Sequence, residues 1–283
     1  MANTGSRSIV RGMLTTAAMS QAPALLGPAD PPVFTTIDAT GPFPCLVVAD
    51  HGGRCFPSAL GPLGLDPDAL ERHIAYDIGI DRVTRRLAAA LGTPALIHHY
   101  SRLLIDPNRP LDDPTSICVI SDGQVVPGNR GLTADDMQAR IDALFAPYHA
   151  ELDRILGGLS DRGSAPALIA VHSFTPTMKG MPRPWQYGVL WSDDDRIAKP
   201  LIEKLGADPL ICVGDNQPYS GRRRYGYTIE THAMARGLPN VLIEIRQDLI
   251  ATDAGADAWA DRLVAPLTAI LSDPTLYRAH SVA

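Results

Sequence analysis

Positive charge is scarce in this chain: 25 lysines and arginines face 31 aspartates and glutamates, for a formal net charge of -6 over 283 residues. That balance leaves no basic face for a nucleic-acid backbone, and the densest basic cluster, Arg222-Arg223-Arg224, is too short to supply one. Long apolar runs are missing too, so no segment reads as a membrane span. No G-x-G-x-x-G or Walker pattern occurs, which removes the common phosphate-cradling loops, and without a G-x-S-x-G elbow a serine hydrolase is disfavoured. The four cysteines, Cys45, Cys55, Cys118 and Cys212, include no C-x-x-C pair. They read as buried free thiols in a reducing cytoplasm rather than as zinc-thiolate ligands.

What is present is an ordinary globular composition, 45% hydrophobic and 20% charged. Residues 1–30 are small, polar and rich in alanine and proline, with too weak an apolar centre for a signal peptide; they are expected to be a disordered leader or a misassigned start. Residues 31–283 are expected to form one domain. Strands are expected at Val33–Ile37, Cys45–Ala49, Ala95–His98, Ala167–Val171, Tyr187–Trp191, Leu210–Val213 and Val241–Ile245. Helices are expected at Asp66–Leu91, Thr133–Leu159, Asp193–Leu205 and Ala254–Leu271. Between Ser101 and Gly131 runs a long loop rich in Pro, Asp, Asn and Gly, with one short strand at Ile117–Ile120; loops of that length inside a domain are usually functional. The alternation predicts an α/β fold of three layers (αβα) around a mixed, mostly parallel sheet.

Two of the apolar runs lead into a histidine: Cys45–Ala49 into Asp50-His51-Gly52-Gly53, and Ala167–Val171 into His172-Ser173. Strand ends of open α/β sheets are where ligands bind, so two such imidazoles can converge on a divalent metal ion, zinc first. Either histidine alone would pass for a turn residue, and His98, His99, His149 and His280 lack this context. The third ligand should be acidic. Asp77 interrupts an apolar stretch one helical turn from His73, so it is either a ligand or the partner of His73 or of an arginine; a metal explains its burial best. In Val241–Asp248, alternation puts Glu244 and Arg246 on one strand face, as a mutual salt bridge or as a general base beside an anion-binding arginine. Asn108 and Arg109 in the long loop can donate to a carboxylate or simply fix the loop. Asn216 and Tyr219, in the turn after the strand expected at Leu210–Val213, can line a pocket or form a plain turn.

These stretches occur in one order: His51-Gly52-Gly53, His73–Gly79, Ser101–Arg109, His172-Ser173-Phe174-Thr175-Pro176, Gly214–Tyr219 and Ile243–Ile250. Together, from about Val33 onward, they resemble the N-formylglutamate amidohydrolase family. The resemblance implies a fold similar to zinc carboxypeptidases (phosphorylase/hydrolase-like). It also implies hydrolysis of an N-acyl amino-acid amide, with N-formyl-L-glutamate giving formate and glutamate in histidine breakdown as the reference case. Carried over, His51, Asp77 and His172 look like the metal ligands, Glu244 like the general base, and Asn108-Arg109 like the carboxylate-binding pair. Arg102 is then placed at the developing oxyanion and Arg246 beside the substrate carboxylates. The sequence departs from carboxypeptidases at one point, since Arg54 stands where an H-x-x-E ligand pair would have its glutamate. The implied partner is a small anionic N-acyl amino acid, with no nucleic acid or membrane, in the cytoplasm. Two alternatives stay open: a deacylase for another N-acyl amino acid or small peptide, and a metal-free binding module on the same scaffold. The chain can be a monomer or a homo-oligomer.

Overall fold

A computed structural model describes residues 24–39, 41–160, 164–223 and 226–280, so most of the expected leader lies outside the described residues. Seven strands form the central sheet: β1 (Phe34–Ile37), β2 (Cys45–Ala49), β3 (Ala95–His98), β4 (Ala167–Phe174), β5 (Tyr187–Leu190), β6 (Val213–Asp215) and β7 (Asn240–Arg246). Their order is β1-β3-β2-β4-β7-β5-β6. The β2/β3, β2/β4, β4/β7 and β5/β6 pairs are parallel, and β1/β3 and β5/β7 are antiparallel. The sheet is therefore mixed and mostly parallel. Every residue of β2 and β4 is buried, as an apolar strand covered on both faces requires.

Alternation along these strands sorts the core into two layers. Cys45, Val47, Ala49, Ile169, Val171, Ile243 and Ile245 pack beneath helices α1 (Ile80–Leu91), α4 (Ala198–Gly206) and α6 (Asp253–Leu271). Leu46, Val48, Leu168 and Ala170 face the other way, onto Tyr148, Leu152, Ile155 and Leu156 of α3 (Ala146–Ser160). That helix continues α2 (Ala134–Arg140) through a π-helical turn at Ile141–Phe145, and Thr133 opens α2 with a capping box to Asp136. A short helix, α5 (Thr228–His232), lies on the same side of the sheet as α3. The three-layer αβα expectation holds.

Several boundaries differ from expectation, each for a local reason. The helix expected over Asp66–Leu91 is two pieces. Asp66 caps only Pro67–Leu70, and Gly79, at φ +80°, turns the chain before α1 starts at Ile80. A Cβ on Gly79 would also lie 2.2 Å from the Ile250 carbonyl oxygen, so the turn needs glycine twice over. Asp77 thus sits in a turn rather than on a helix face. Residues 193–197 precede α4 because their acids bond locally: Asp194 accepts from the Arg196 N–H (3.1 Å) and pairs with its guanidinium. The strand expected at Leu210–Val213 forms instead at Val213–Asp215, where β5 offers a partner, and Leu210 is exposed. The long loop carries a small hairpin, Ile120–Ser121 with Gln124–Val125, in place of a strand at Ile117–Ile120. Of the four cysteines, all free, only Cys45 is buried; Cys55 and Cys118 are half-buried and Cys212 is exposed.

Candidate metal centre and its cavity

His51 leaves the C-terminal end of β2 in a turn pressed against β3. A Cβ on Gly53 would stand 2.1 Å from the His99 carbonyl oxygen, so only glycine permits this approach. The turn holding Asp77 docks directly onto it, because the Asp77 N–H donates to the His51 carbonyl (2.9 Å). The Arg102 N–H (3.2 Å) and the Ser101 hydroxyl (2.8 Å) fix the same turn through the Ala75 carbonyl. His172 is not past the end of its strand, as expected, but inside β4, level with Glu244 of β7. β4 is paired on both sides, which extends it to Phe174.

These elements bring His51, Asp77 and His172 together, all buried, with one ligating atom from each lying within 4.8 Å of the others. Asp77 Oδ2 is 3.4 Å from His51 Nδ1 and 3.0 Å from His172 Nδ1. The far nitrogens are held by two further carboxylates: His51 Nε2 is 2.7 Å from Asp106 Oδ1, and His172 Nε2 is 3.1 Å from Asp50 Oδ2. Asp50 accepts in turn from the Tyr148 and Thr228 hydroxyls, both at 2.8 Å. Asp106 accepts from the Arg102 guanidinium (2.7 and 3.2 Å) and the Asn108 N–H (2.8 Å).

That arrangement has a charge consequence. A neutral imidazole carries one N–H, yet each ring has carboxylates at both nitrogens. Asp50, Asp77 and Asp106 bring three negative charges and Arg102 one positive, leaving two negative charges uncompensated if both imidazoles are neutral. Burial would push Asp77 and Asp106 up, but the neighbouring imidazoles hold Asp77, and the Arg102 guanidinium with His51 holds Asp106, well below the usual carboxylate range, and Asp50 is drawn down to about 2 by His172 and His51. Without another cation the balance falls on the imidazoles: despite burial, Asp50 and Asp77 lift His172 to about 10. A divalent ion would remove the imbalance. With the ring protons on Nε2, where outer carboxylates accept them, both Nδ1 lone pairs and the Asp77 carboxylate are directed to one place. Two imidazoles and a carboxylate, oriented by second carboxylates, fit a catalytic-type zinc ion.

The cluster opens into a cavity of about 350 Å³ also lined by His73, Arg102, Asn108, Arg109, Ser173 and Glu244. Glu244 is 7% exposed, its Oε2 has no hydrogen-bond partner, and burial raises it to about 7. Asp77 also keeps the company its sequence context suggested: its Oδ1 lies 3.5 Å from His73 Nδ1 and 3.4 Å from Arg102 Nη1, while Oδ2 serves the other two histidines. Asn108 uses Oδ1 to accept the N–H groups of Tyr227 (2.8 Å) and Thr228 (3.1 Å), which fixes the start of α5 to the cavity wall. Arg109 donates to the Asn108 carbonyl (3.0 Å).

Arg246 and Asn216 stand elsewhere. The Arg246 guanidinium pairs with Asp248 (2.8 and 3.2 Å) instead of Glu244 and does not line the cavity. Asn216 spends its Oδ1 on the N–H groups of Trp191 and Gly221. Tyr219 does line the cavity, and its hydroxyl accepts from Arg183 (3.1 Å).

The residues not anticipated are chiefly Asp50 and Asp106. Their signal was position: Asp50 directly precedes His51, and Asp106 opens the Asp106–Arg109 stretch. His149 and the unremarked His232 also connect to the site. They stack 5.0 Å apart and link the Pro107 carbonyl through His149 (2.9 Å) and His232 to Asp153 (2.6 Å), tying the Asp106–Arg109 loop to α3 and α5.

A crystal structure of an Agrobacterium tumefaciens gene product is 31% identical and superimposes with a TM-score of 0.83, over 88% of this chain and 98% of that one. A crystal structure of N-formylglutamate amidohydrolase from Ralstonia eutropha JMP134 is 22% identical, with a TM-score of 0.67 over 84% and 96% of the two chains, and shares the fold. A search of curated proteins returns no match. The model of the N-formylglutamate amidohydrolase family matches residues 43–251, from the start of β2 to just past β7, and so spans every residue of the cluster and its cavity. This chain belongs to the N-formylglutamate amidohydrolase family.

Proposed function

We propose that this protein hydrolyses the amide bond of a small N-acyl amino acid with the help of one divalent ion, N-formyl-L-glutamate being the substrate class its family brings. The observation that carries this is Glu244: a buried carboxylate with an unpartnered oxygen, opening onto the cavity that His51, Asp77 and His172 share. His51, Asp77 and His172 would hold the ion, with zinc suited to the donor set, and when bound it polarises the acyl carbonyl and acidifies water. Glu244, raised to about 7, is poised near neutral pH to take a proton from the attacking water and return it to the leaving nitrogen. Arg102, locked by Asp106, faces the developing oxyanion, and Arg109 with the Asn108 amide holds a substrate carboxylate. Arg246 and Asn216 act at a distance, by bracing the loops at the cavity rim. Free thiols at all four cysteines agree with a cytoplasmic enzyme. Among the described residues, no helix is long and apolar enough to cross a membrane.

The test is a panel of N-formyl and N-acyl amino acids, assayed with and without chelator, for wild type and Glu244→Gln. Chelation should abolish turnover, and Glu244→Gln should keep its metal content while losing 10²-fold or more in kcat. Undiminished turnover in that variant would remove Glu244 from the chemistry; activity indifferent to chelator would remove the metal. A second reading, cleavage of N-acyl amino acids other than formylglutamate, is favoured by Leu190, Ile229, Met234 and Leu242, which also line the cavity.

A further inference from the structure

Two buried imidazoles outside the metal cluster make contacts that fix how many protons they must hold. His149 of α3 and His232 of α5 are 6% and 2% exposed, and His149 Nδ1 stands 2.9 Å from His232 Nε2. At the outer end His232 Nδ1 lies 2.6 Å from Asp153 Oδ1, and at the inner end His149 Nε2 lies 2.9 Å from the Pro107 carbonyl oxygen. His149 and Asp153 stand one helical turn apart on α3, so both reach the side where α5 sets His232.

Each of these contacts needs one hydrogen. A carbonyl oxygen only accepts, so His149 Nε2 carries a proton; a second lies between the rings and a third between His232 Nδ1 and the carboxylate. Two neutral imidazoles bring only two. Complete bonding therefore takes one proton in excess, a cationic pair against an ionised Asp153. Asp153 suits that role: against burial, His232 and then the Arg236 guanidinium paired with it hold its carboxyl below the ordinary value. Its side chain is 47% exposed, which gives the proton a way out.

Burial acts against the extra charge. It pushes both rings down, His149 to about 4, while Asp153 and Asp50 favour the charged form and Arg236 opposes it on His232. The other titratable groups against the rings are Tyr148, Tyr227 and His98, the last pushed down to about 3 by burial. The excess proton thus leaves below the ordinary histidine value of 6.5. Three contacts then share two protons. The charge-assisted bond to Asp153 is the strongest, so His232 keeps its Nδ1–H. Two lone pairs facing each other would force apart rings that α3 and α5 hold together, whereas a loop carbonyl can turn away. His149 therefore moves its proton to Nδ1, and the Pro107 tether is lost. Pro107 joins Asp106, which accepts from His51, to Asn108 and Arg109 of the cavity wall.

We propose that His149 and His232 are positioning residues that share one excess proton, and that this proton tethers the Pro107 carbonyl and so holds Asp106, Asn108 and Arg109 in place. The effect on turnover rests on the hydrolase reading above; the tether does not.

Two measurements test it. In the first, nitrogen-15 spectra of the chelated full chain count the ring protons from pH 4.5 to 8, with the two rings assigned through His149→Gln and His232→Gln. Three protons should be present at the acid end, and one should leave below pH 6.5 as His149 passes from the Nε2–H to the Nδ1–H form. The Asn108 and Arg109 backbone amides should shift with the same midpoint. A count that stays constant, at two or at three, or a His149 that keeps Nε2–H throughout, overturns the inference whether or not any amide is cleaved. The second measurement is the pH profile of kcat/KM in Asp153→Asn. Asparagine can donate an amide N–H to His232 Nδ1, which closes the chain with two protons and keeps the tether at every pH. The titrations of Glu244 and of the metal site cancel in the ratio of variant to wild type. That ratio should rise about threefold to tenfold from pH 5 to pH 7.5, the worth of one hydrogen bond. A flat or falling ratio in an active enzyme overturns the positioning role and leaves the hydrolase reading intact.

Discussion

Replacing Glu244 with glutamine should change how the stability of the chelated protein depends on pH, by an amount the structure sets. In the fold the Glu244 carboxyl is raised from 4.5 to about 7, first by burial. Unfolded, it returns to the ordinary value. Between these two pH values the native state holds a proton that the unfolded state has released, so stability falls as pH rises. The favourable contribution is complete below about 4.5 and lost once the pH has passed 7. A gap of 2.5 between the two values corresponds to about 3 kcal/mol at ~1.4 kcal/mol per unit. Glutamine has nearly the same shape and no titration in this range. Urea unfolding of both proteins at pH 5 and pH 8.5 should therefore show wild type losing about 2–3 kcal/mol relative to Glu244→Gln across that interval. A difference between the two proteins that stays constant with pH, to within about 1 kcal/mol, would refute the claim that Glu244 is buried unpaired, and with it the basis for its role as a base near neutrality.

Two further outcomes follow from the surroundings of the cluster. Asp106→Asn removes the carboxylate that accepts from His51 and should weaken metal binding about 10–100-fold in competition with a chromogenic chelator; unchanged affinity would show that the outer carboxylate does not orient the ligand. Gly53→Ala places a methyl group 2.1 Å from the His99 carbonyl oxygen and should cost more than about 2 kcal/mol in unfolding free energy, so a melting temperature equal to wild type would contradict the packing of the His51 turn against β3.

Much of the layout was legible in the residues. Short β-branched runs such as Leu46–Ala49 and Leu168–Val171 are buried on both faces and are found as β2 and β4. Thr133 followed by Asp136 marks a helix start, and the amphipathic segment after Thr252 becomes α6. His51, Asp77 and His172 were recognisable because each breaks an apolar context that does not tolerate a polar group without a reason. Less legible were the ends of elements. β4 runs on through His172 because a strand paired on both sides keeps its polar residues in register with its neighbours. The helix expected over Asp66–Leu91 stops at Leu70 and resumes only after Gly79, where the chain turns past the Ile250 carbonyl.

The sequence by itself determined the layered α/β arrangement, which is written in local periodicity, and the family, which is written in the order of its motifs; it marked His51, Asp77 and His172 as candidates because they interrupt or end apolar stretches. Only the tertiary structure decided what those side chains face. Asp50 and Asp106 take the outer nitrogens of the histidines, Arg246 turns to Asp248 and away from Glu244, and Glu244 is left with an oxygen to which nothing donates. The physical reason is that pattern fixes which face of an element is buried, whereas most partners of the buried carboxylates come from distant chain segments: Arg102 lies 25 residues from Asp77, and His172 and Thr228 lie 122 and 178 residues from Asp50. Whether a cavity wall is charged or apolar depends on the same long-range meeting, and at Leu242 it is apolar.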